Sequence, residues 1–427
     1  MRVKNRLPKL CLTSPWNYPL FNSDSDSHFG GWEVRISLIA KEVAQRGNLH
    51  VTLIVGDHGQ PHVEHRHAVV LYSWIGRAIW GIPAQEPKPI IPAHKQGLIE
   101  SLNTTLRVGI SAIKRKHSQA APLGGQVGPY TITQEMISIY DEVDADIYVV
   151  PGNSQFSGEA AFYCRQRGKK YVFLSGSDYD YSPEYKTSPD QYDMYSVPHA
   201  LKLYAIENAA LHIVQNERQA NLLRDEYGRS SVIIKNPIDL KPLFPRNATA
   251  RTILWVGKSD ERTKRPSMML ELARQLPQYR FVMVMTFTVK ETHDRCIKEA
   301  STLSNVTLLE RIPFSQIERF FADARLHVNT STVEGFPNTF LQAAKYGVPT
   351  LSIQVDPGEM LSKYGCGLVC AGDFEQLRDK VQTAMTNDVL YSILSRQSEK
   401  YVRESHDKNL IIPKYEQAFT SVLLGAS

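Results

Sequence analysis

The segment Glu334-Gly-Phe-Pro-Asn-Thr-Phe-Leu-Gln-Ala-Ala-Lys-Tyr-Gly-Val-Pro349 is where a strand, a loop and a helix meet in the sequence. The apolar run Leu326-His-Val-Asn-Thr-Ser331 predicts a short buried strand, and the pattern from Thr339 to Tyr346 predicts a helix. Glu334 to Asn338 then form the turn between them. Free N–H groups at a helix start, with the positive end of the helix dipole, can bind a phosphate. Glu334 would accept hydrogen bonds from hydroxyl groups beside that phosphate.

Apolar, β-branched runs alternate with helical patterns along the chain, which predicts largely parallel sheets. The first series of predicted strands comprises Leu10–Thr13, Val51–Val55, Val69–Tyr72, Ile147–Val150, Tyr171–Leu174, Leu211–Val214 and Val232–Ile234. The second series comprises Ile253–Val256, Phe281–Met285, Val306–Leu309, Leu326–Asn329, Thr350–Ile353 and Leu368–Cys370. The predicted fold class is therefore α/β, with two doubly wound, Rossmann-like domains.

The length of 427 residues suits two α/β domains of about 200 residues each. The segment from Asn236 to Arg251 is rich in proline and polar residues and interrupts the periodicity, which is typical of a linker. We place the N-terminal domain at residues 1–240, the C-terminal domain at 241–400 and a helical tail at 401–427.

Composition narrows the class of protein. Lys and Arg number 49 against 44 Asp and Glu, and the net charge of +5 favours anionic ligands without requiring nucleic acid, so none is predicted as a partner. The five cysteines are odd in number and show no paired framework, which indicates a reduced, cytoplasmic setting. Histidines 58, 62, 65 and 67 have no metal-ligand spacing, and we predict that they lie in a polar loop.

Contact with the inner face of a membrane stays open. The apolar run from Ala68 to Ala84 is too short to span a bilayer and would be a packed helix or a surface contact. The basic clusters Lys114–Lys116 and Arg165–Lys170 make an anionic or membrane-borne ligand plausible, although such clusters are usually solvated faces. The oligomeric state is open as well.

The acid, Gly-Phe, the following polar pair, the helix and Gly-Val-Pro resemble the donor-site signature of retaining GT-B glycosyltransferases of group 1, family 4-like. The resemblance spans most of residues 28–425. It implies two Rossmann-like domains that face each other across a cleft, the N-terminal one on the acceptor side and the C-terminal one binding the donor. The tail helix would cross back to the N-terminal domain. The donor would be a nucleotide-diphosphate sugar, with no cofactor and no metal.

The resemblance assigns the Glu334 segment to the donor. Glu334 would contact the transferred sugar, and the donor-binding residues beside it would be Gly335, Phe336, Pro337, Asn338 and Thr339. Relatives carry a second acid where this chain has Gln342, and an amide can also bond a ribose hydroxyl.

A basic loop follows the predicted strand that ends at Gly257, and Gly257 is predicted to lie with this loop at the donor-binding site. Its four cations are Lys258, Arg262, Lys264 and Arg265. The resemblance assigns a pair of cations here to the donor pyrophosphate, with Lys258 and Lys264 as the nearest matches and the two arginines as alternatives. Fixed positive charge at the departing diphosphate stabilises the transition state more than the ground state. A solvated basic turn is the other interpretation.

Three further predictions concern loops. Gly30 and Gly31 precede an amphipathic helix, where glycine lets a ligand approach the backbone, and relatives carry a Gly-Gly loop at this place. Asp178 follows a predicted strand and would contact sugar or acceptor, or else form an Asx turn. Arg311 lies where relatives hold the nucleobase, with a surface arginine as the alternative.

The resemblance implies a retaining hexosyltransferase that uses a nucleotide sugar and a saccharide or lipid-linked acceptor, in polysaccharide or glycolipid synthesis. A non-catalytic nucleotide-sugar-binding or partner subunit is the alternative, prompted by Gln342 and the irregular basic loop. Asp-x-Asp triplets, such as Asp144–Asp146, suggest a second enzyme hypothesis, a metal-dependent GT-A glycosyltransferase. The two Rossmann-like halves argue against a single GT-A domain.

Overall fold

The computed structural model describes residues 6–22, 30–74, 123–193, 195–310 and 312–424. The strands in these ranges are β1 (Lys9–Thr13), β2 (His50–Gly56), β3 (Val63–Arg66), β4 (Val69–Trp74), β5 (Gly125–Val127), β6 (Tyr130–Ile132), β7 (Ile147–Pro151), β8 (Lys170–Leu174), β9 (Leu211–Val214), β10 (Val232–Ile233), β11 (Thr252–Lys258), β12 (Arg280–Thr286), β13 (Val306–Leu309), β14 (Ala324–Asn329), β15 (Thr350–Ser352) and β16 (Gly367–Val369).

The helices in the described ranges are α1 (Gly31–Arg46), α2 (Gln134–Val143), α3 (Gln155–Arg167), α4 (Glu184–Thr187), α5 (His199–Glu207), α6 (Glu217–Tyr227), α7 (Pro266–Gln275), α8 (Lys290–Ala300), α9 (Phe314–Ala322), α10 (Asn338–Lys345), α11 (Phe374–Thr386), α12 (Asp388–His406) and α13 (Lys408–Ser421). Short 3₁₀ helices cover Pro15–Leu20, Asp178–Tyr181 and Pro357–Glu359.

Two large sheets and a separate two-stranded hairpin of β5 and β6 contain the described strands. The first has the order β10-β9-β8-β7-β1-β2-β4-β3 and is parallel except for the pairing of β3 with β4. The second has the order β13-β12-β11-β14-β15-β16 and is parallel throughout. In each sheet the chain order reverses beside the first strand, between β1 and β7 and between β11 and β14. Such topological switch points are where doubly wound sheets bind ligands, and the predicted α/β class is confirmed.

The core of the first sheet shows the alternation expected of a strand buried on both faces. Leu10 and Leu12 contribute to one hydrophobic cluster and Cys11 to the cluster on the other face. Helix α13 packs on the Leu10 face together with α1, and its residue Tyr415 is fully buried there. The end of the chain therefore completes the core of the first sheet.

The chain crosses between the sheets twice, and the two crossings are hydrogen-bonded to each other. The amide of Ile238 donates to the carbonyl of His406 at 2.8 Å, and the amide of Lys408 donates to Ile238 at 2.9 Å. Lys408 Nζ donates to Asp239 at 2.8 Å and to Glu42 on α1 at 2.7 Å. Helix α12 runs without a break through the predicted 400/401 boundary, and the next helix begins at Lys408. The division into domains stays a prediction.

One expectation about the first sheet is wrong. Strand β3 occupies part of the predicted polar histidine loop and pairs antiparallel with β4 at the sheet edge. Its sequence, Val63-Glu-His-Arg66, lacks the apolar alternation by which strands are recognised, because an edge strand is mostly exposed. His62 pairs with Glu142, and His58 stacks on Tyr18. The second part of the Ala68–Ala84 run and the cluster Lys114–Lys116 lie outside the described residues.

The burial of three histidines allows a prediction of how the stability of the fold depends on pH. Burial lowers the pKa of His212, His327 and His406 to about 3. Below a pH of about 6.5 the unfolded chain binds protons that the folded protein excludes, so stability present at neutral pH is lost as pH falls toward 3. Each histidine contributes about 1.4 kcal/mol per pH unit in this window. In calorimetry from pH 7.5 to 4.5, the Tm should be constant down to a pH of about 6.5 and should fall steeply below it.

The matched variant for this prediction is His327→Leu. The ring of His327 is completely buried, and its Nε2 has no hydrogen-bond partner. The variant should therefore lose Tm less steeply below pH 6.5 than the wild type. An unchanged wild-type Tm between pH 7 and 5 would contradict the prediction.

Candidate functional site

The carboxyl ends of the two sheets meet at a cavity of about 170 Å³. The first sheet and its connections contribute Gly31, Trp32, Arg35, Gly176, Gln215 and Asn236. The second contributes Glu334, Gly335, Phe336, Pro337 and Asn338. The structure therefore brings the Gly-Gly turn and the Glu334 loop, about 300 residues apart in sequence, to opposite walls of one cavity.

The carboxylate of Glu334 is held by two donors. Strand β14 ends at Asn329, whose side-chain amide donates to Ser331 Oγ at 3.2 Å. The hydroxyl of Ser331 in turn donates to Glu334 Oε1 at 2.8 Å, and Lys264 Nζ donates to the same oxygen. No described residue donates to Oε2, which leaves one carboxylate oxygen to accept hydrogen bonds from a ligand.

The four cations of the basic loop have different surroundings. Lys258 is the last residue of β11, and a Cβ placed on Gly30 would lie 3.7 Å from its Nζ. Lys264 forms the ion pair with Glu334. Arg262 is 71% exposed, and its Nε lies 3.7 Å from Asp260. The structure thus brings the two lysines to the cleft and leaves Arg262 in solvent.

Arg265 joins two loops of the second sheet. Its Nε donates to the carbonyl of Thr330 at 2.7 Å and its Nη2 to that of Ser331 at 3.3 Å. Its backbone is left-handed, with φ of 48°, and burial lowers the pKa of its guanidinium. Because the guanidinium is bonded to these two carbonyls, Arg265 positions the Glu334 loop, and its contact with the donor stays a prediction.

The two predicted glycines, Gly30 and Gly31, lie where side chains from the second sheet approach the first sheet across the cleft. The carbonyl of Gly31 accepts a hydrogen bond from Asn338 Nδ2. The amide of Gly30 donates to Glu33 Oε2 at 2.6 Å, which caps α1. A Cβ on Gly335 would lie 1.9 Å from the carbonyl oxygen of Gly176, so these two glycine backbones are in direct contact. Gly257, at the end of β11, packs closely against Trp255, since a Cβ there would lie 2.6 Å from its ring.

Sequence reasoning missed several residues that line the cavity. Arg35 on α1 is buried, and its guanidinium donates to the carbonyl of Ser175 at 2.7 Å and to the hydroxyl of Tyr415 at 2.6 Å. Asn236 accepts from Gln215 at 2.9 Å and donates to the carbonyl of Phe336 at 3.2 Å, across the cleft. Gly176 and Gln215 each follow the end of a parallel strand. Polar or glycine residues at such strand ends were the available signal.

The remaining predicted site residues lie at different distances from the cavity. Gln342 is buried one turn after Asn338 on α10, and Phe336 is buried with its ring 4.8 Å from that of His406. Asp178 does not line the cavity: its carboxylate pairs with Arg218 at 2.7 Å, and burial raises its pKa. The neighbouring Asp180 binds backbone near the cavity, since its Oδ2 accepts from the amide of Gly176 at 2.7 Å. Thr339 is the second residue of α10, directly after Asn338, which lines the cavity. Arg311 lies outside the described residues.

Residues 250–387 match the family model of group 1 glycosyl transferases. They are a group 1 glycosyltransferase domain. This group 1 domain contains the basic loop, the Glu334 loop and α10. No curated protein sequence matches the chain.

Solved structures resemble the chain over nearly its whole length. Sucrose-phosphate synthase from Thermosynechococcus elongatus has a TM-score of 0.69 at 17% identity, covering 98% of this chain and 100% of that one. TarM from S. aureus, in a complex that contains UDP, has a TM-score of 0.65 at 11% identity, covering 96% and 99%. Trehalose-6-phosphate synthase OtsA has a TM-score of 0.62 at 13% identity, covering 97% and 98%. The likeness establishes the predicted GT-B fold.

A group 1 glycosyltransferase domain within a GT-B fold supports a glycosyl-transfer function. The described residues contain no group of three or more His, Cys, Asp or Glu side chains that could hold a metal ion. In the described parts of the chain, no helix combines the length and the apolar character that crossing a bilayer requires.

Proposed function

We propose that the chain is a retaining, family 4-like glycosyltransferase that moves a hexose from a nucleotide-diphosphate sugar to an acceptor hydroxyl without a bound metal. The observation that carries this proposal is the position of Glu334 in the wall of a cavity between two topological switch points, with two lysines beside it. Lys264 pairs with Glu334, and Lys258 Nζ would lie 3.7 Å from a Cβ placed on Gly30. Two cations suit a diphosphate, and a carboxylate with an unbonded oxygen suits sugar hydroxyls.

Each group has a distinct task in the proposed reaction. Lys258 and Lys264 bind the diphosphate and stabilise the negative charge that grows on it as the bond to the anomeric carbon breaks. Glu334 orients the hexose through its hydroxyls. Gln342 would bond a ribose hydroxyl from α10. Because the ion pair already fixes both side chains, little reorganisation is needed when the donor enters.

The configuration at the anomeric carbon is retained if the acceptor hydroxyl attacks on the same face of the sugar from which the diphosphate departs. The departing phosphate oxygen then takes the proton of the attacking hydroxyl, and no side chain acts as general base. We assign the reaction to polysaccharide or glycolipid synthesis in the cytoplasm, on a saccharide or lipid-linked acceptor, with peripheral membrane contact in the lipid-linked case. Nuclear magnetic resonance of the product anomer tests retention, since an inverted product would contradict it.

Donor binding can be measured without an acceptor. A thermal-shift panel of UDP, GDP, ADP, dTDP and their sugar conjugates in EDTA should show stabilisation by one nucleotide family. A ligand at 100 times its Kd should stabilise the fold by roughly 2.7 kcal/mol. UDP is the first ligand to try, since the TarM complex contains it. In Glu334→Ala the additional shift caused by the sugar should be lost, while the shift caused by the nucleotide remains.

The outcomes separate the alternatives. Absence of any shift would contradict the proposed donor site. Binding of a nucleotide sugar without turnover on any acceptor would instead support a non-catalytic subunit. A shift that appears only after a divalent metal is added would contradict metal independence.

A further inference from the structure

A second cavity of about 220 Å³ lies at the carboxyl ends of β1 and β7, the switch point of the first sheet. Trp32 lines both this cavity and the cavity that contains Glu334. The two spaces are therefore adjacent and share one aromatic side chain. A molecule in the second cavity would lie next to a sugar held at Glu334.

Three aromatic side chains form part of the walls of this second cavity. Trp16, Trp32 and Phe156 line it, and the ring of Phe156 lies edge-on to that of Trp16 with centroids 6.1 Å apart. The ring of Trp32 is held against glycine backbone, since a Cβ on Gly176 would fall 1.2 Å from it. The C–H groups on one face of a sugar ring are weakly positive, and they pack favourably on the negative face of an indole.

The polar lining favours hydroxyl groups over anions. Ser14, Ser154 and Glu33 line the cavity, and Glu33 is the only ionised side chain among its described lining residues. Glu33 Oε2 accepts from the amide of Gly30, and no described residue donates to Oε1. A phosphate or carboxylate on the ligand would meet this negative charge, and Lys258, which approaches Gly30, does not line the cavity. Like charges in such a site oppose binding.

One of the two basic clusters that made an anionic acceptor plausible, Arg165–Lys170, lies elsewhere. Arg165 to Lys170 precede and begin β8, so they lie at the amino end of the sheet, opposite the cavity. Arg167 pairs with Asp141 at 2.9 Å and Lys169 with Asp144 at 2.7 Å. These cations are therefore occupied by neighbouring carboxylates.

We infer that the second cavity binds the acceptor, and that the part of the acceptor bound there is an uncharged sugar ring and not a sugar phosphate or a uronic acid. The inference rests on the proposed function. It assigns Trp16 and Trp32 to stacking on the ring, and Glu33 and Ser154 to its hydroxyls. Trp32, between the two cavities, sets the distance from the acceptor ring to the donor sugar.

The test uses the nucleotide sugar found by the thermal-shift panel. Acceptor probes are methyl glucoside, methyl galactoside and maltose, compared with glucose 6-phosphate, fructose 6-phosphate and glucuronic acid. Neutral probes should bind at least about tenfold more tightly than charged ones in titrations with the nucleoside diphosphate present. Trp16→Ala should raise the acceptor KM about tenfold without changing the donor KM, and Trp16→Phe should restore most of the loss.

Two further variants make the test specific. Tyr192→Ala removes an aromatic ring that is 55% exposed and does not line either cavity, so it should leave the acceptor KM unchanged. Glu33→Gln should narrow the preference for neutral over phosphorylated sugars. Binding of no neutral probe, equal or tighter binding of the phosphorylated sugars, or equal effects of Trp16→Ala and Tyr192→Ala would each overturn the inference. The proposed function itself fails separately, by absence of nucleotide binding in the panel that contains no acceptor.

Discussion

Replacing Glu334 with glutamine is expected to lower kcat for glycosyl transfer by about 10²–10³-fold with the fold intact. Glutamine preserves the size of the side chain but removes the charge that pairs with Lys264 and accepts bonds from sugar hydroxyls. The pair is mostly buried, with 24% and 15% of the two side chains accessible, but the glutamine oxygen can still accept from Lys264, so the substitution should cost about 1–3 kcal/mol of stability. Initial-rate kinetics and Tm measured on the same preparations separate the two effects.

Glu271→Gln is the matched control for this variant. It removes a carboxylate from another ion pair, with Arg274 on α7, that is remote in sequence from the cavity-lining loops. It should retain wild-type kcat and Tm. If Glu334→Gln kept kcat within about threefold of the wild type, the assignment of Glu334 to the transferred sugar would be abandoned.

Replacing Gly335 with alanine should abolish productive closure of the cleft. The added methyl group would lie 1.9 Å from the carbonyl oxygen of Gly176 and 2.9 Å from Gln215 Oε1. The first contact is with backbone, which cannot rotate aside, so the two loops must separate. The backbone of Gly335 is not left-handed, so alanine fits there locally. We expect kcat/KM to fall by more than about 10²-fold, because catalysis requires the groups on both walls to be aligned.

This second prediction is checked by kinetics together with small-angle X-ray scattering and Tm. Gly124→Ala is the control, since its methyl group would lie 3.2 Å from the carbonyl oxygen of Ile132, away from the cleft. The Gly335→Ala protein should have a Tm within a few degrees of the wild type. Full activity in this variant would show that contact between Gly335 and Gly176 is not needed for transfer.

The strands could be predicted well because most are buried on both faces of a parallel sheet. Such strands are continuous apolar runs, and all thirteen predicted runs coincide with strands. The missed strands are short or exposed. β3 is a polar edge strand, and β5 and β6 form a hairpin of three residues on each side. Their stability comes from neighbours in space, which a local pattern does not contain.

The strand, loop and helix around Glu334 are properties of the sequence by itself, as are the glycines before α1 and the cations after β11. Apolar periodicity and the rules for helix ends act over a few residues, so they can be recognised in the chain. The resemblance of the motif then indicated the family and the fold, which the comparisons support.

Only the tertiary structure decided which of these groups meet. Lys264 reaches Glu334 across 70 residues of sequence, whereas Arg262 in the same loop points to solvent. Arg35 and Asn236 line the cavity, although no motif in the sequence had marked them as lining residues. The physical reason is that parallel packing brings distant strand ends to one edge, and the shape of the facing surfaces then selects the side chains that touch.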